Sequence, residues 1–531
     1  MHFEINRTAV DSIPFDEYFK NIMPSSNEEF YNRAGKDHYR LLSYFSSLFS
    51  NSNVIDIGTH LGSSALALSY NETNTIHTFD IVDNMQPVAR NRKNIKFHKE
   101  NLLERETLYR WKDIILSCPF IVLDIDPHDG TPELVFYNYL KEINYNGFVI
   151  CDDVWYFKGM RDEFWYKIPY EERYDVTDIG HQSGTGIISF NKDITFPKYD
   201  NSNWTLVTAY FNLTKYDDAS KEIKERDNNY YFSHSISTLC LPYNLVIYCD
   251  KESIECIKAI RPDYLKDKTK YIVCDFDDFK YNKKEPLTDT FRDYRIRINK
   301  NREGNKFYGY HNRNTASYYL FCMARYIMLK ETIVENPFQS THFAWINFCI
   351  ERMGYKNLIR LDECLDVKRD KFSTCYIDYI PQELIADPQR FFKYGRCSMC
   401  SGFFTGNAEY MYKVCDLIED KFLYFLELGY GHADEQLYSP VYFDQPELFE
   451  HYYGDYIQMI TNYKYVYESA EPPVYNFIRN SFYYKNYEKC YEACKFVFRS
   501  ICLKKCEIKD SFSTELHDFY MKCKKIFGEF E

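Results

Sequence analysis

The sequence predicts an α/β protein built of two consecutive α/β domains followed by a helical C-terminal tail, and three observations carry that prediction. Over residues 1–197, short apolar runs at Val54–Ile57, Thr75–Phe79, Ile95–His98, Phe120–Leu123, Phe148–Cys151 and Gly186–Phe190 alternate with helical periodicity between the first five. Strands separated by helices imply a mostly parallel sheet with helices on both faces. After a polar break at "NKDITFPKYDNSNW" (191–204), a second strand-like start, "TLVTAYFNL" (205–213), opens another mixed region that runs to residue 470. From "PPVYNFIRN" onward the chain reads as mainly helical. The expected divisions are 1–197, 203–470 and 471–531, and a chain of 531 residues is too long for one ordinary hydrophobic core.

Composition narrows the function classes. With 45% hydrophobic and 27% charged residues the chain reads as globular, and its net charge of −13 with no Lys/Arg-rich arm argues against nucleic acid as a partner. The start, "MHFEINRTAVDSIPFDEYF", has no basic segment followed by an apolar one, and no run approaches the roughly 18 apolar residues of a membrane span. A cytoplasmic location with no membrane span is therefore expected. The 18 cysteines read as reduced thiols. Cys397-Ser-Met-Cys400 is a lone C-x-x-C, and the spacing of Cys490, Cys494, Cys502 and Cys506 reads as one helix face rather than a zinc site.

The first domain holds two groups of chemistry-bearing residues. "VIDIGTHLGSSALALS" (54–69) is a strand, a turn with Gly58 and Gly62, and a helix whose start near Ser63 and Ser64 offers unpaired N–H groups; the glycines let backbone approach a ligand. The second strand ends in Asp80, where a carboxylate can accept ribose hydroxyls. The fourth strand, "FIVLDIDPHDGTPELVFYNYL", ends in Asp124 with Asp126, His128 and Asp129 behind it, and Thr131 and Pro132 read as the cap and first turn of the next helix. The fifth strand, "FVIC", runs into Asp152 and Asp153. In an open α/β sheet the carboxyl ends of neighbouring strands line the ligand crevice, so the acids share one rim. Three carboxylates there suit a hard divalent cation, the alternative being solvated loop acids.

These motifs resemble class I S-adenosylmethionine-dependent methyltransferases, and among them the cation-dependent O-methyltransferases of catechol and macrolide-sugar type. The resemblance implies a Rossmann-like fold and S-adenosylmethionine as cofactor. It implies Mg2+ or a similar divalent cation held by Asp124, Asp152 and Asp153. Asp56, Gly58, Gly62, Ser63, Asp80, Glu100 and Asn101 match the cofactor-binding positions. His128 stands near the place of a sugar-type general base, at a spacing one residue longer than the family's; a loop histidine at the following helix is the other reading. The acceptor implied is a sugar hydroxyl or, alternatively, a small phenol.

The second region resembles the WlaTC/HtrL-type glycosyltransferases, which implies a GT-A-like fold and a nucleotide-sugar donor. The match rests on "TLVTAYFNL", "RDNNYYF" leading to "NLVIYCD", "NPFQSTHFAWINFCI", "CSGFFTGNAEYM" and "GHADEQLYSPVYFDQPELFEHYYGDY". "SGFFTG" supplies glycines for close approach to a ligand, and "HADEQ" brings Asp434 and Glu435 together as candidates for the general base of an inverting transferase, or as a helix N-terminal pair. Where related sequences read Trp-Ile-Asp, this chain has Trp345-Ile346-Asn347, which removes a charge from the expected metal position. Asp275-Phe-Asp277 reads as solvated loop, and Arg226, Arg313 and Arg325 are arginines that either meet a diphosphate or form ordinary ion pairs. The expected whole is a bifunctional carbohydrate enzyme acting on a glycan or sugar-nucleotide substrate. The alternative is a small-molecule methyltransferase fused to a glycan-binding domain. The tail either packs on the transferase or makes a homodimer contact.

Overall fold

The computed structural model describes residues 5, 7–22, 28–31, 34–191, 202–281, 289–304, 314–353, 361–393, 396–431, 433–466, 473–503, 506, 508 and 510–527. The chain divides into two compact units, Met1–Lys198 and Tyr199–Glu531.

The first unit is a seven-stranded sheet flanked by helices. Its main elements are α1 (Ala34–Ser47), β1 (Asn53–Ile57), α2 (Ser63–Leu68), β2 (Thr75–Asp80), β3 (Ile95–Lys99), α3 (Arg105–Ser117), β4 (Phe120–Leu123), α4 (Thr131–Glu142), β5 (Phe148–Cys151), β6 (Arg173–Asp175) and β7 (Gly186–Ser189). The strand order is β3-β2-β1-β4-β5-β7-β6. The first five strands pair in parallel and β7 runs antiparallel to both β5 and β6, a Rossmann-like α/β topology. The continuous apolar runs "FIVL" and "FVIC" are buried at every position, as parallel strands covered on both faces require. Phe120 and Phe148 are register partners whose rings stack at 5.4 Å, and Phe45 of α1 packs on Phe148 at 5.1 Å. Ser43 and Ser46 bind α1 to the carbonyls of Ala67 and Leu68 at the end of α2. The three-residue β6 lay beyond sequence reading because it is too short to show a period.

The second unit contains β8 (Trp204–Tyr210), β9 (Asn244–Cys249), β10 (Thr269–Val273), α5 (Ala316–Glu335), β11 (His342–Ile346), β12 (Phe372–Tyr376), β13 (Met399–Asn407), α6 (Ala408–Glu427), α7 (Glu435–Asp444) and β14 (Phe449–Tyr453). The order is β10-β9-β8-β11-β13-β12-β14, with β8 to β11 mutually parallel and β13 antiparallel to its neighbours, a GT-A-like α/β arrangement. Alternation sorts each strand between two cores. Val207, Ala209, Phe343 and Trp345 face the cluster that contains α5 and α6, while Leu206, Tyr210, Ala344 and Ile346 face the other. Both faces being buried explains why "WTLVTAY" carries no polar alternation.

Three helices close this unit: α8 (Pro473–Tyr483), α9 (Tyr487–Cys502) and α10 (Asp510–Phe527). Phe477 packs on Tyr376 at 4.7 Å and on Tyr453 at 4.9 Å, and Phe496 approaches Tyr453 at 5.7 Å. The tail therefore packs on the β12–β14 edge of its own unit, the first of the two expected arrangements. Cys490 and Cys494 lie buried on α9, but Cys502 is exposed and Cys506 lies past the helix end, so the four do not form one face. Among the described residues no group able to hold a metal includes a cysteine, and no helix is long and apolar enough to cross a membrane.

One histidine pair in the first sheet makes a pH prediction. His77 Nδ1 lies 3.2 Å from His98 Nε2, and His77 Nε2 lies 3.2 Å from Asn53 Oδ1. Burial, aided by His98 and Lys96, lowers the His77 pKa to about 4. The native state therefore binds this proton less readily than the unfolded chain, whose histidine titrates near 6.5. The stability His77 contributes is complete above about pH 6.5 and declines as pH falls towards 4, by up to roughly 3 kcal/mol. Urea unfolding of the first unit between pH 8 and 4 should show that slope, and His77→Gln should reduce it. An unchanged slope in the variant contradicts the assignment.

Candidate functional sites

The turn after β1 is shaped by packing. Gly58 has φ +97°, and a Cβ there would lie 1.6 Å from the carbonyl oxygen of Asp124. Gly62, at φ +88° before α2, would place a Cβ 2.9 Å from Ala89 Cβ. Packing against the Asp124 carbonyl and the Met85–Ala89 segment thus requires glycine at both positions. Ser63 is the first residue of α2. Asp56 is buried; its Oδ2 accepts from Ser64 Oγ at 3.0 Å and Thr78 Oγ1 at 2.6 Å, while Oδ1 has no partner. Burial lifts its pKa to about 6. Asp80 accepts from the backbone N–H of His60 at 2.8 Å and of Val82 at 2.9 Å, one on each oxygen, so each oxygen keeps acceptor capacity. Glu100 pairs with Arg110, and the side chain of Asn101 accepts from Leu103 N–H in its own turn.

At the carboxyl ends of β4 and β5 the acids meet histidines from three other segments. Leu123 and Cys151 are register partners, so Asp124 and Asp152 leave the sheet side by side. Two ligand sets result: Asp124, His128 and Asp153 in one, and Asp152, Asp153 and His181 in the other, the donor atoms of each lying within 4.8 Å of one another. Asp153, with φ +61°, is shared. His128 Nε2 stands 3.3 Å from Asp126 and 3.6 Å from Asp153, and its ring stacks on Phe157 at 4.5 Å. His181 Nδ1 is 3.2 Å from Asp152 Oδ2, and His38 of α1 approaches the same oxygen at 3.9 Å. Burial works to raise all three aspartates. For Asp152, His38 and His181 outweigh it and hold the pKa low, whereas Asp124 and Asp153, beside other carboxylates, stay raised. The helix after this loop begins at Thr131 with Gly130 at its cap and Pro132 in the first turn; Thr131 is inside the helix and donates its N–H to Asp129.

His38 and His181 were not found in the sequence. His38 sits on a helix before β1 with no local signal, and His181 lies in the loop before β7, where only the antiparallel return beside β5 brings it to the acids.

In the second unit a cavity of about 480 Å³ opens at the ends of β8 and β11, with Asn347, Arg325, Asp434 and Glu435 in its wall. The two acids differ sharply. Asp434, at the N-cap of α7, is buried, ion-paired with Arg325 at 3.2 Å, and accepts from Tyr326. Glu435 accepts from Ser401 N–H and Oγ, each at 3.0 Å, and from Tyr456 at 2.6 Å; burial and Asp434 raise its pKa. Asn347 accepts the indole N–H of Trp345 at 3.2 Å. Gly402 of the "SGFFTG" strand answers to protein packing, since a Cβ there would lie 2.8 Å from Met459 Sδ. Asp275 caps the turn at Asp277, and Asp277 pairs with Arg295, so this pair of acids is structural. Arg313 lies outside the described residues.

Two substitutions test these packing assignments. Gly58→Ala should destabilise the first unit by at least about 3 kcal/mol, because strain at positive φ adds to a backbone clash. Arg325→Met, which strands a buried carboxylate, should cost the second unit about 3–5 kcal/mol, with much of it recovered in Arg325→Met/Asp434→Asn. Chemical unfolding followed separately for each unit measures both. A loss below about 1 kcal/mol in either single variant would contradict the corresponding assignment.

Three solved structures illustrate the comparisons. An O-methyltransferase from Bacillus cereus in complex with SAH is 11% identical, covering 35% of this chain and 90% of that one at a TM-score of 0.23. Mouse xyloside xylosyltransferase 1 is 11% identical over 47% of this chain and 84% of that one, with a TM-score of 0.23. A 4-diphosphocytidyl-2C-methyl-D-erythritol synthase from Anaerococcus prevotii is 11% identical over 48% and 89%, with a TM-score of 0.24. No curated protein matches the chain. Residues 202–464 of the second unit match the model of a family described as bacterial protein of unknown function (HtrL_YibB).

Proposed function

We propose that the chain is a two-part carbohydrate enzyme. The first unit would be an O-methyltransferase using S-adenosylmethionine and a divalent cation, and the second a glycosyltransferase using a nucleotide sugar, both working on one glycan. The observation that carries the first half is the pair of carboxylate–imidazole sets sharing Asp153 at the ends of β4 and β5. Asp124 and Asp153, raised by burial and by neighbouring carboxylates, gain most from a cation between them. Their oxygens suit Mg2+ or Mn2+, and such a cation supplies a lowered acceptor-hydroxyl pKa and a fixed acceptor position.

The chain's own residues do the remaining work. The unpartnered Asp56 Oδ1 and the spare acceptor capacity of Asp80 fit the hydroxyl and ammonium donors of S-adenosylmethionine. With the cation held by the oxygens of Asp124 and Asp153, the imidazole of His128, flat on Phe157, would be left free to take the proton as the acceptor oxygen bonds to the methyl carbon and the sulfur leaves as a thioether. In the second unit, Asp434 is committed to Arg325, so the base role falls to Glu435, whose pKa burial and Asp434 raise. Tethering would raise the local concentration of one step's product for the next.

The test is mass spectrometry of reactions with S-adenosylmethionine, sugar nucleotides and simple glycosides. EDTA should abolish methylation and added Mg2+ or Mn2+ should restore it. His128→Ala should lower kcat by about 10²-fold or more with the KM for S-adenosylmethionine little changed. Methylation indifferent to EDTA would remove the cation role, and methylation confined to small phenols would replace the glycan acceptor.

A further inference from the structure

Arg226 and Arg352 come from segments far apart in sequence, yet both guanidinium groups lie over the ring of Tyr230, at 5.8 and 5.7 Å from its centroid. Both line the cavity of the second unit. Arg226 ends the helix Lys221–Glu225, and Arg352 sits in the turn Ile350–Met353 that follows β11; Cys349 Sγ, 3.2 Å from the carbonyl of Tyr231, ties the two segments together. Among the described residues neither arginine forms an ion pair, whereas Arg295, Arg369 and Arg396 of the same unit each pair with a carboxylate. Two unpaired guanidinium groups held on one ring at a cavity wall are arranged for a dianion.

The acids of this cavity do not provide for a cation. Asp434 is neutralised by Arg325, Glu435 accepts three hydrogen bonds, and Glu222 is the further carboxylate in the wall. Both sets of metal-capable residues among those described belong to the first unit. Asn347, at the position where a charged ligand was expected, spends its carbonyl oxygen on Trp345. Its amide donors have no described partner, so what it offers the cavity also suits an anion.

We propose that this cavity takes a nucleoside diphosphate whose charge is met by Arg226 and Arg352 instead of a divalent cation, which rests on reading the second unit as nucleotide-sugar dependent. The aromatic side chains of Tyr231 and Phe348 in the same wall supply faces for the base.

Isothermal titration calorimetry of the full chain with UDP, CDP, GDP and ADP, and with their monophosphates, tests this, first in EDTA and then in Mg2+ or Mn2+. One diphosphate should bind in EDTA, its Kd shifting less than about threefold when the cation is added, and it should exceed its monophosphate by about tenfold or more. Arg226→Ala/Arg352→Ala should weaken the diphosphate by about 10- to 100-fold and remove the preference over the monophosphate. Arg226→Lys/Arg352→Lys, which keeps the charge, should fall between. A thermal melt of each variant separates lost binding from lost fold. Diphosphate binding that requires the cation, or that survives the double alanine change, overturns the proposal and leaves the nucleotide-sugar reading standing. No nucleotide binding under either condition overturns that reading and the proposal with it.

Discussion

The parallel pairing of β4 with β5 is the constraint around which the first unit is arranged. It delivers Asp124, Asp152 and Asp153 to one end of the sheet, where like charges in a partly dehydrated place repel. The rest of the unit answers that repulsion in part. His38 arrives from α1, His181 from the loop before β7, and His128 from the loop after β4. The first two hold Asp152 low, but Asp124 and Asp153 remain raised. That residual imbalance is what a cation bound there would relieve.

The second unit meets a comparable problem by internal neutralisation. Its adjacent acids sit at the start of α7, where the helix dipole already favours negative charge, and Arg325 from α5 pairs with one of them. The arrangement leaves Glu435, its pKa raised by burial and by Asp434, outside that ion pair, and leaves two other arginines without a described carboxylate partner. One unit therefore leaves carboxylates unbalanced at the ends of β4 and β5, and the other sets arginines beside the acids of its cavity. The difference follows from which partners each fold supplies.

Much of the architecture was legible because it is written locally. The runs "FIVL", "FVIC" and "WTLVTAY" are strands buried on both faces, and their apolar continuity is visible without any partner. Asp80, Asp124, Asp152 and Asp153 were legible as strand-end acids for the same reason. Gly58 and Gly62 were visible as special positions, but their packing against the Asp124 carbonyl and the Met85–Ala89 segment was not. β6 was too short to carry a period.

What the sequence determined by itself is the succession of strands and helices, the acids at the strand ends, and the apolar faces that must be buried. Each depends on a repeat of two or of three to four residues along the chain. The tertiary structure alone decided which histidines join the acids, that Asp434 is spent on Arg325 while its neighbour Glu435 is not, and that Arg226 and Arg352 share Tyr230. Those choices rest on ion pairs and ring contacts a few ångströms long between segments distant in the chain. Interactions of that range leave no periodic trace, so only the folded backbone can bring their partners together.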